Sequence, residues 1–135
     1  MNIYSIDTFN KEFEKLIKKN AYKSLEQEII SYFFNKPIEQ LLSGTRLNNS
    51  DTFPYIKKRL LGSGGFRFYF LILIKEENLY LMFVHPKTGS MGAENIDDES
   101  KSLLYKQVLK CIETQDLHLV QLSNNGKRLI FTKVE

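Results

Sequence analysis

Tyr55-Ile-Lys57-Lys58-Arg59-Leu-Leu-Gly62-Ser63-Gly64-Gly65-Phe66-Arg67-Phe68-Tyr69-Phe70 is the stretch that decides the fold. Two runs rich in aromatic and branched residues flank a glycine cluster, the pattern of a β-hairpin. Successive side chains of a strand point to opposite faces. Tyr55, Lys57 and Arg59 therefore share one face, and Lys58 points the other way. In the second strand, Arg67, Tyr69, Leu71 and Leu73 share a face, while Phe66, Phe68, Phe70, Ile72 and Ile74 share the other. The all-apolar face is expected to pack on helices. The Arg67/Tyr69 face is the one expected to meet solvent or a ligand near its start.

If the strands align in register, Lys57, Arg59, Arg67 and Tyr69 gather at one end of one sheet face. Such a cluster suits a phosphodiester. Cations neutralise phosphate, and arginine can grip it through two donors. A tyrosine can stack on a base or hydrogen-bond to it. The Gly62–Gly65 turn could offer backbone N–H groups as an anion nest. The same residues also read as a solvated edge strand, where lysine blocks aggregation, joined by a plain turn. The glycines match no dinucleotide or Walker fingerprint, because no helix follows them.

Working outward, residues 2–6 read as a short strand and Asp7 or Thr8 as a helix cap. Phe9, Phe13, Leu16 and Ile17 form an apolar helical stripe. A second helix starts near Ser24, where Ser24 and Gln27 have capping-box spacing, and buries Leu25, Ile29, Ile30 and Phe33. Pro37 restarts the helix, which stops at Ser43-Gly44. Strands are expected at about 53–61, 66–75 and 79–85, as an antiparallel meander. Asp97-Asp98-Glu99 opens a third helix with Leu103, Leu104, Val108, Cys111 and Ile112 as its buried face. Residues 117–134 read as a hairpin turning at Asn124-Asn125-Gly126. The fold class expected is α+β: two N-terminal helices on an antiparallel sheet, a third helix after the sheet and a C-terminal β-hairpin. One domain spans 1–135, with 115–135 as a hairpin extension.

The composition fits a single domain: 135 residues, 42% hydrophobic and 26% charged, with ten Phe and seven Tyr. That aromatic content excludes a disordered chain. The net charge of +3 does not by itself indicate a nucleic-acid partner, but its distribution is uneven. Residues 51–92 hold six Lys/Arg against three Asp/Glu, whereas the flanking segments are nearly balanced. Cys111 is alone, which excludes an internal disulfide and reads as a small core residue. No signal peptide is visible, and the run Phe68–Ile74 is too short to span a membrane, so a cytoplasmic protein is expected. His85, before Pro86, could act as a general acid or base, or could simply be a loop histidine. With two histidines and no close carboxylate pair, no metal site or cofactor is expected.

The order of parts resembles the RelE/ParE superfamily of bacterial toxins, particularly its HigB-like branch. The resemblance is carried by Phe9-Asn-Lys-Glu-Phe13-Glu-Lys-Leu16, by Asn35-Lys-Pro37 and most clearly by Tyr55 to Lys87. There the family pattern reads Lys-x-Arg, glycines, Gly-Gly-aromatic-Arg, then strands ending near a basic residue. Here those positions are Lys57-Lys-Arg59, Gly62-Ser-Gly64-Gly65-Phe66-Arg67 and Lys87. The similarity covers roughly residues 3–114, and Phe70 stands where the family's tyrosine usually falls.

The resemblance implies a toxin of a type II toxin–antitoxin pair that cleaves mRNA in the ribosomal A site without a metal. It implies that Lys57, Arg59 and Arg67 stabilise the crowded phosphate, that Tyr69 stacks on or orients a base, and that Lys87 assists proton transfer or charge neutralisation. Lys58, Gly64, Gly65 and His85 would add RNA contacts. The implied partners are an antitoxin protein and mRNA on the ribosome, with the free toxin a monomer or weak dimer and no membrane involved. A ParE-like gyrase inhibitor and a non-toxic RelE-fold binding protein are the alternatives. The hairpin at 117–134 could occupy the antitoxin's usual surface.

Overall fold

The computed structural model describes residues 1–60, 65–87 and 96–135. Strand β1 (Asn2–Ser5) leads into α1 (Asp7–Ile17); a 3-10 turn (Asn20–Tyr22) precedes α2 (Leu25–Phe33) and the short α3 (Ile38–Leu41). Then come β2 (Thr45–Arg46), β3 (Tyr55–Leu60), β4 (Phe66–Leu73) and β5 (Asn78–Pro86). The chain ends with α4 (Asp98–Thr114), β6 (His118–Leu122) and β7 (Leu129–Lys133). The class is α+β. Among the described residues the strands form one seven-stranded sheet, in the order β2-β3-β4-β5-β1-β6-β7.

The expected meander is present: β3, β4 and β5 pair antiparallel in sequence order. The expectation of a wholly antiparallel sheet is corrected, because β1 pairs parallel to β5, with Ile3 opposite Leu79. The meander rule governs strands adjacent in sequence. β1 instead lies between β5 and β6, which run in opposite directions, so one of its two pairings must be parallel. The C-terminal hairpin does not hang from the end of the domain. β6 pairs with β1 through Tyr4–Leu119 and Ser5–His118, and so continues the main sheet.

The helical stripes bury much as their spacing requires. Phe9, Phe13 and Leu16 of α1 and Leu25, Ile29 and Phe33 of α2 are core residues. Phe33 meets Phe68 and Phe70 edge-on, at ring-centroid distances of 5.4 and 5.2 Å, and Tyr22 meets Phe66. The apolar face of β4 thus lies against the N-terminal helical region, as its alternation predicts. Pro37 caps α3, where the chain restarts.

Local capping differs from expectation. Ile6, not Asp7 or Thr8, is the N-cap of α1. Gln27 does not close a capping box; its amide donates to the Lys127 carbonyl at 2.6 Å, tying α2 to the β6–β7 turn. In α4, Leu104 and Val108 are buried, but Leu103 is 58% exposed and does not join the core face.

The largest departure concerns the other face of the sheet. Phe66 to Ile72 of β4 are all buried, on both sides. Tyr105 of α4 stacks on Tyr55 with ring centroids 5.4 Å apart, and the Tyr55 hydroxyl donates to the Lys101 carbonyl at 3.0 Å. The long helix therefore covers part of the Arg67/Tyr69 face. The face is closed even near its start, where solvent or a ligand was expected: Arg67 is 3% exposed.

Candidate phosphate-binding site

Register brings the basic residues together. Lys57 lies opposite Tyr69, Arg59 opposite Arg67, and Arg67 opposite His85 on the next strand. Three neighbouring strands thus place Arg59, Arg67 and His85 in one cross-strand row, with Lys57, Tyr69 and Phe83 in the next. Just beyond that second row the register shifts between Tyr69 and Phe70, so that Phe70 pairs with Leu81. A bulge of this kind sharpens local twist and re-aims side chains.

Arg67 is only 3% exposed, and among the described residues its Nε and Nη1 have no hydrogen-bond partner. A buried guanidinium in this condition has lost its water without replacement, which is costly unless an anion arrives. Tyr69 is fully buried and its hydroxyl lies 3.2 Å from His85 Nε2. His85 Nδ1 lies 3.2 Å from the Pro86 carbonyl oxygen. A carbonyl can only accept, so Nδ1 donates to it; in the neutral ring Nε2 is then the acceptor for the Tyr69 hydroxyl. Burial raises the Tyr69 phenol above its ordinary 10.0, against smaller opposing effects of Ile96 and Arg67, so the group stays a neutral phenol at physiological pH.

Lys57 is half-buried beside these groups. Desolvation lowers its ammonium below the usual lysine range, and the charges of Lys101, Arg67 and Arg59 push the same way. That repulsion adds Lys101 of α4 to the cationic cluster. Arg59 is exposed, as is Lys87. The Lys87 backbone N–H donates to the Gly65 carbonyl at 3.0 Å, which anchors the end of β5 to the start of β4. Gly65 has φ +77°, a conformation that glycine adopts without strain.

The remaining expected residues lie elsewhere. Lys58 is on the opposite face, with Nζ 5.8 Å from the centroid of the Tyr32 ring and donating to Ser43 Oγ at 3.3 Å. Gly62, Ser63 and Gly64 lie outside the described residues, so the proposed backbone nest is represented by Gly65 alone. Tyr69, buried and hydrogen-bonded to His85, has no open ring face for a base. Its place is that of a positioning group beneath the cations.

Lys101 and Tyr105 were not anticipated. Their four-residue separation puts them on one helix face, but nothing local indicates which sheet face α4 covers.

No protein-family model matches the chain, and no curated protein matches its sequence significantly. Among the described residues, no helix is long and apolar enough to cross a membrane.

Proposed function

We propose that this chain is a toxin of the RelE/ParE kind, a metal-independent, ribosome-dependent mRNA endoribonuclease of the cytoplasm restrained by a partner antitoxin. One observation carries the reading: Arg67, buried with two donor nitrogens unpartnered among the described residues, lies in register between Arg59 and His85 and close to Lys57. A phosphate oxygen is the partner such an arrangement lacks.

The chemistry follows from charge. When a ribose 2′-oxygen attacks the adjacent phosphorus, negative charge builds on the non-bridging oxygens. Fixed cations in a partly dry site stabilise that charge more than they stabilise the ground state. Arg67 and Arg59 fill this role. Lys57 gives up its proton more readily than an ordinary lysine, so its amine can take the 2′-hydroxyl proton. The P–O5′ bond breaks, leaving a 2′,3′-cyclic phosphate and a free 5′-hydroxyl. Exposed Lys87 can donate the proton that turns the departing 5′-oxygen into that hydroxyl. Tyr69 and His85, hydrogen-bonded to each other, hold the floor beneath Arg67 rather than touching the base.

The layout supports the RelE-like reading in part: N-terminal helices lie against an antiparallel β3-β4-β5 meander, and a long helix follows it. The parallel β1–β5 pairing and the sheet-continuing hairpin depart from the arrangement expected. The complete burial of Tyr69 favours a second reading, a RelE-fold protein that binds an anionic partner without cutting it.

Induced expression tests these readings. The endoribonuclease arrests growth, yields new mRNA 5′ ends by primer extension and is silenced by Arg67→Ala. Arrest with DNA-damage signalling and intact mRNA identifies a ParE-like gyrase inhibitor instead. Normal growth at confirmed protein levels overturns the toxin reading and leaves the binding protein.

A further inference from the structure

Beside the Arg67 cluster, α4 and the β2–β3 region enclose a groove of about 470 Å³. Its walls include Asn48, Tyr55, Lys101, Ser102, Tyr105 and Lys106. Resting on the reading of Arg67 as a phosphate site, we propose that this groove is a second nucleotide subsite, which takes the base and phosphate next to the one held by Arg67.

Three features argue for a nucleotide. Tyr105, half-buried and stacked on the buried Tyr55 with the rings 14° from parallel, gives the groove one aromatic face held in place. Single-stranded RNA is held on such platforms, because every base has a π-face. Lys101 and Lys106 supply ammonium groups for phosphate, and the exposed Ser102 supplies a hydroxyl for ribose or a base edge. The groove is also built to keep its shape. The Asn48 side chain donates to the Phe53 carbonyl and accepts from the Tyr55 N–H, at 3.0 and 2.9 Å, while the Tyr55 hydroxyl pins Lys101. The carboxylate at the rim, Asp98, is fully exposed and 3.7 Å from Lys101, so it offsets that charge only weakly.

Position argues for continuity with the first site. Tyr55 and Lys57 lie two residues apart on the same face of β3, a rise of roughly 7 Å. Lys101 is close enough to repel the Lys57 charge. A strand leaving Arg67 past Lys57 therefore runs into the groove rather than into solvent. A single-stranded RNA suits this geometry, because its bases are free to turn and stack.

The test is an NMR titration of the full chain with three probes: inorganic phosphate, 2′-O-methyl hexaadenylate, which cannot be cleaved, and hexaglutamate as a non-nucleotide anion. The hexanucleotide is expected to shift the Tyr105 and Lys101 amides together with the Arg67 guanidinium, whereas phosphate shifts Arg67 alone. Tyr105→Ala should weaken hexanucleotide binding about tenfold, as loss of a stacking platform does, and leave phosphate binding unchanged. Lys106→Glu, on the exposed helix surface, should weaken it severalfold without affecting the fold.

Hexanucleotide shifts confined to Arg67, unchanged by Lys106→Glu, would overturn the groove and leave the Arg67 site standing. Shifts confined to the groove would uphold the subsite and remove the phosphate reading of Arg67. Equal shifts from hexaglutamate would reduce the groove to a charged surface and overturn the proposal.

Discussion

The Tyr69 hydroxyl and His85 Nε2, both on buried side chains, lie 3.2 Å apart across the β4–β5 ladder, directly beside Arg67. The pair is part of a chain running from Tyr69 through His85 to the Pro86 carbonyl. Tyr69→Phe keeps the ring but removes the hydroxyl that is hydrogen-bonded to buried His85. Such a change costs about 1–2 kcal/mol. Urea unfolding of the variant should show that loss with an unchanged slope. A midpoint equal to the parent's would show that the hydrogen-bond chain adds no stability.

Arg67 predicts the opposite sign. Its buried N–H groups, unpartnered among the described residues, make it a stability liability in the free protein. Arg67→Met fills similar space without charge and should raise stability by about 1–3 kcal/mol, the usual penalty of an unsatisfied buried polar group. Phosphate should raise the melting temperature of the parent by mass action and leave the variant unmoved. A variant that melts earlier than the parent would mean that Arg67 is satisfied in the free fold and that its partner is not missing.

The contrast between Arg67 and Tyr69 shows how far the sequence could be read. Parity within a strand is local, so the shared face of Lys57, Arg59, Arg67 and Tyr69 and the opposite placement of Lys58 were legible from spacing. The bulge between Tyr69 and Phe70 has no marker residue, and the parallel β1–β5 pair joins segments more than seventy residues apart. Neither follows from periodicity. The covering of the basic face by α4 depends on where the chain returns after the 88–95 segment. Among the described residues, a face that reads as half-polar in sequence is therefore closed at Tyr69 and exposed at Arg59 and Lys87. Leu103 was misplaced for a related reason: α4 buries a narrower stripe than a helix lying flat on a sheet would.

Asp97 sets an acid limit on α4. Its side chain accepts from the Ser100 N–H at 2.7 Å as the helix N-cap. Hydrogen bonds from the Ser100 side chain and backbone hold its carboxyl below the ordinary 3.8. A folded-state value below the unfolded one means that the stabilisation is present above pH 3.8 and is lost as pH falls through the lower folded value. Asp97→Asn keeps a capping acceptor but removes this acid dependence. Urea midpoints measured stepwise below the ordinary carboxylate range should fall less steeply for Asp97→Asn than for the parent. Identical slopes would assign the acid sensitivity to other carboxylates.

Glu26 decides whether the hairpin is a clasped part of the domain. One carboxylate oxygen accepts from the Leu129 N–H at 2.9 Å and the other lies 3.1 Å from Arg128 Nε. The ion pair alone is minor, because the Arg128 side chain is 71% exposed. The bond to the Leu129 N–H matters more, since the Glu26 side chain is largely buried and a charged acceptor roughly doubles a neutral bond. Glu26→Gln keeps an acceptor and should loosen the hairpin little. Glu26→Ala removes it and should cost about 1–3 kcal/mol, concentrated at β7. Hydrogen exchange of the β7 amides should then accelerate while β3, β4 and β5 keep their protection. Acceleration throughout the sheet would show that β6 and β7 unfold with the core. In that case the C-terminal hairpin is integral to the domain rather than a removable extension, and no partner could displace it without unfolding the site.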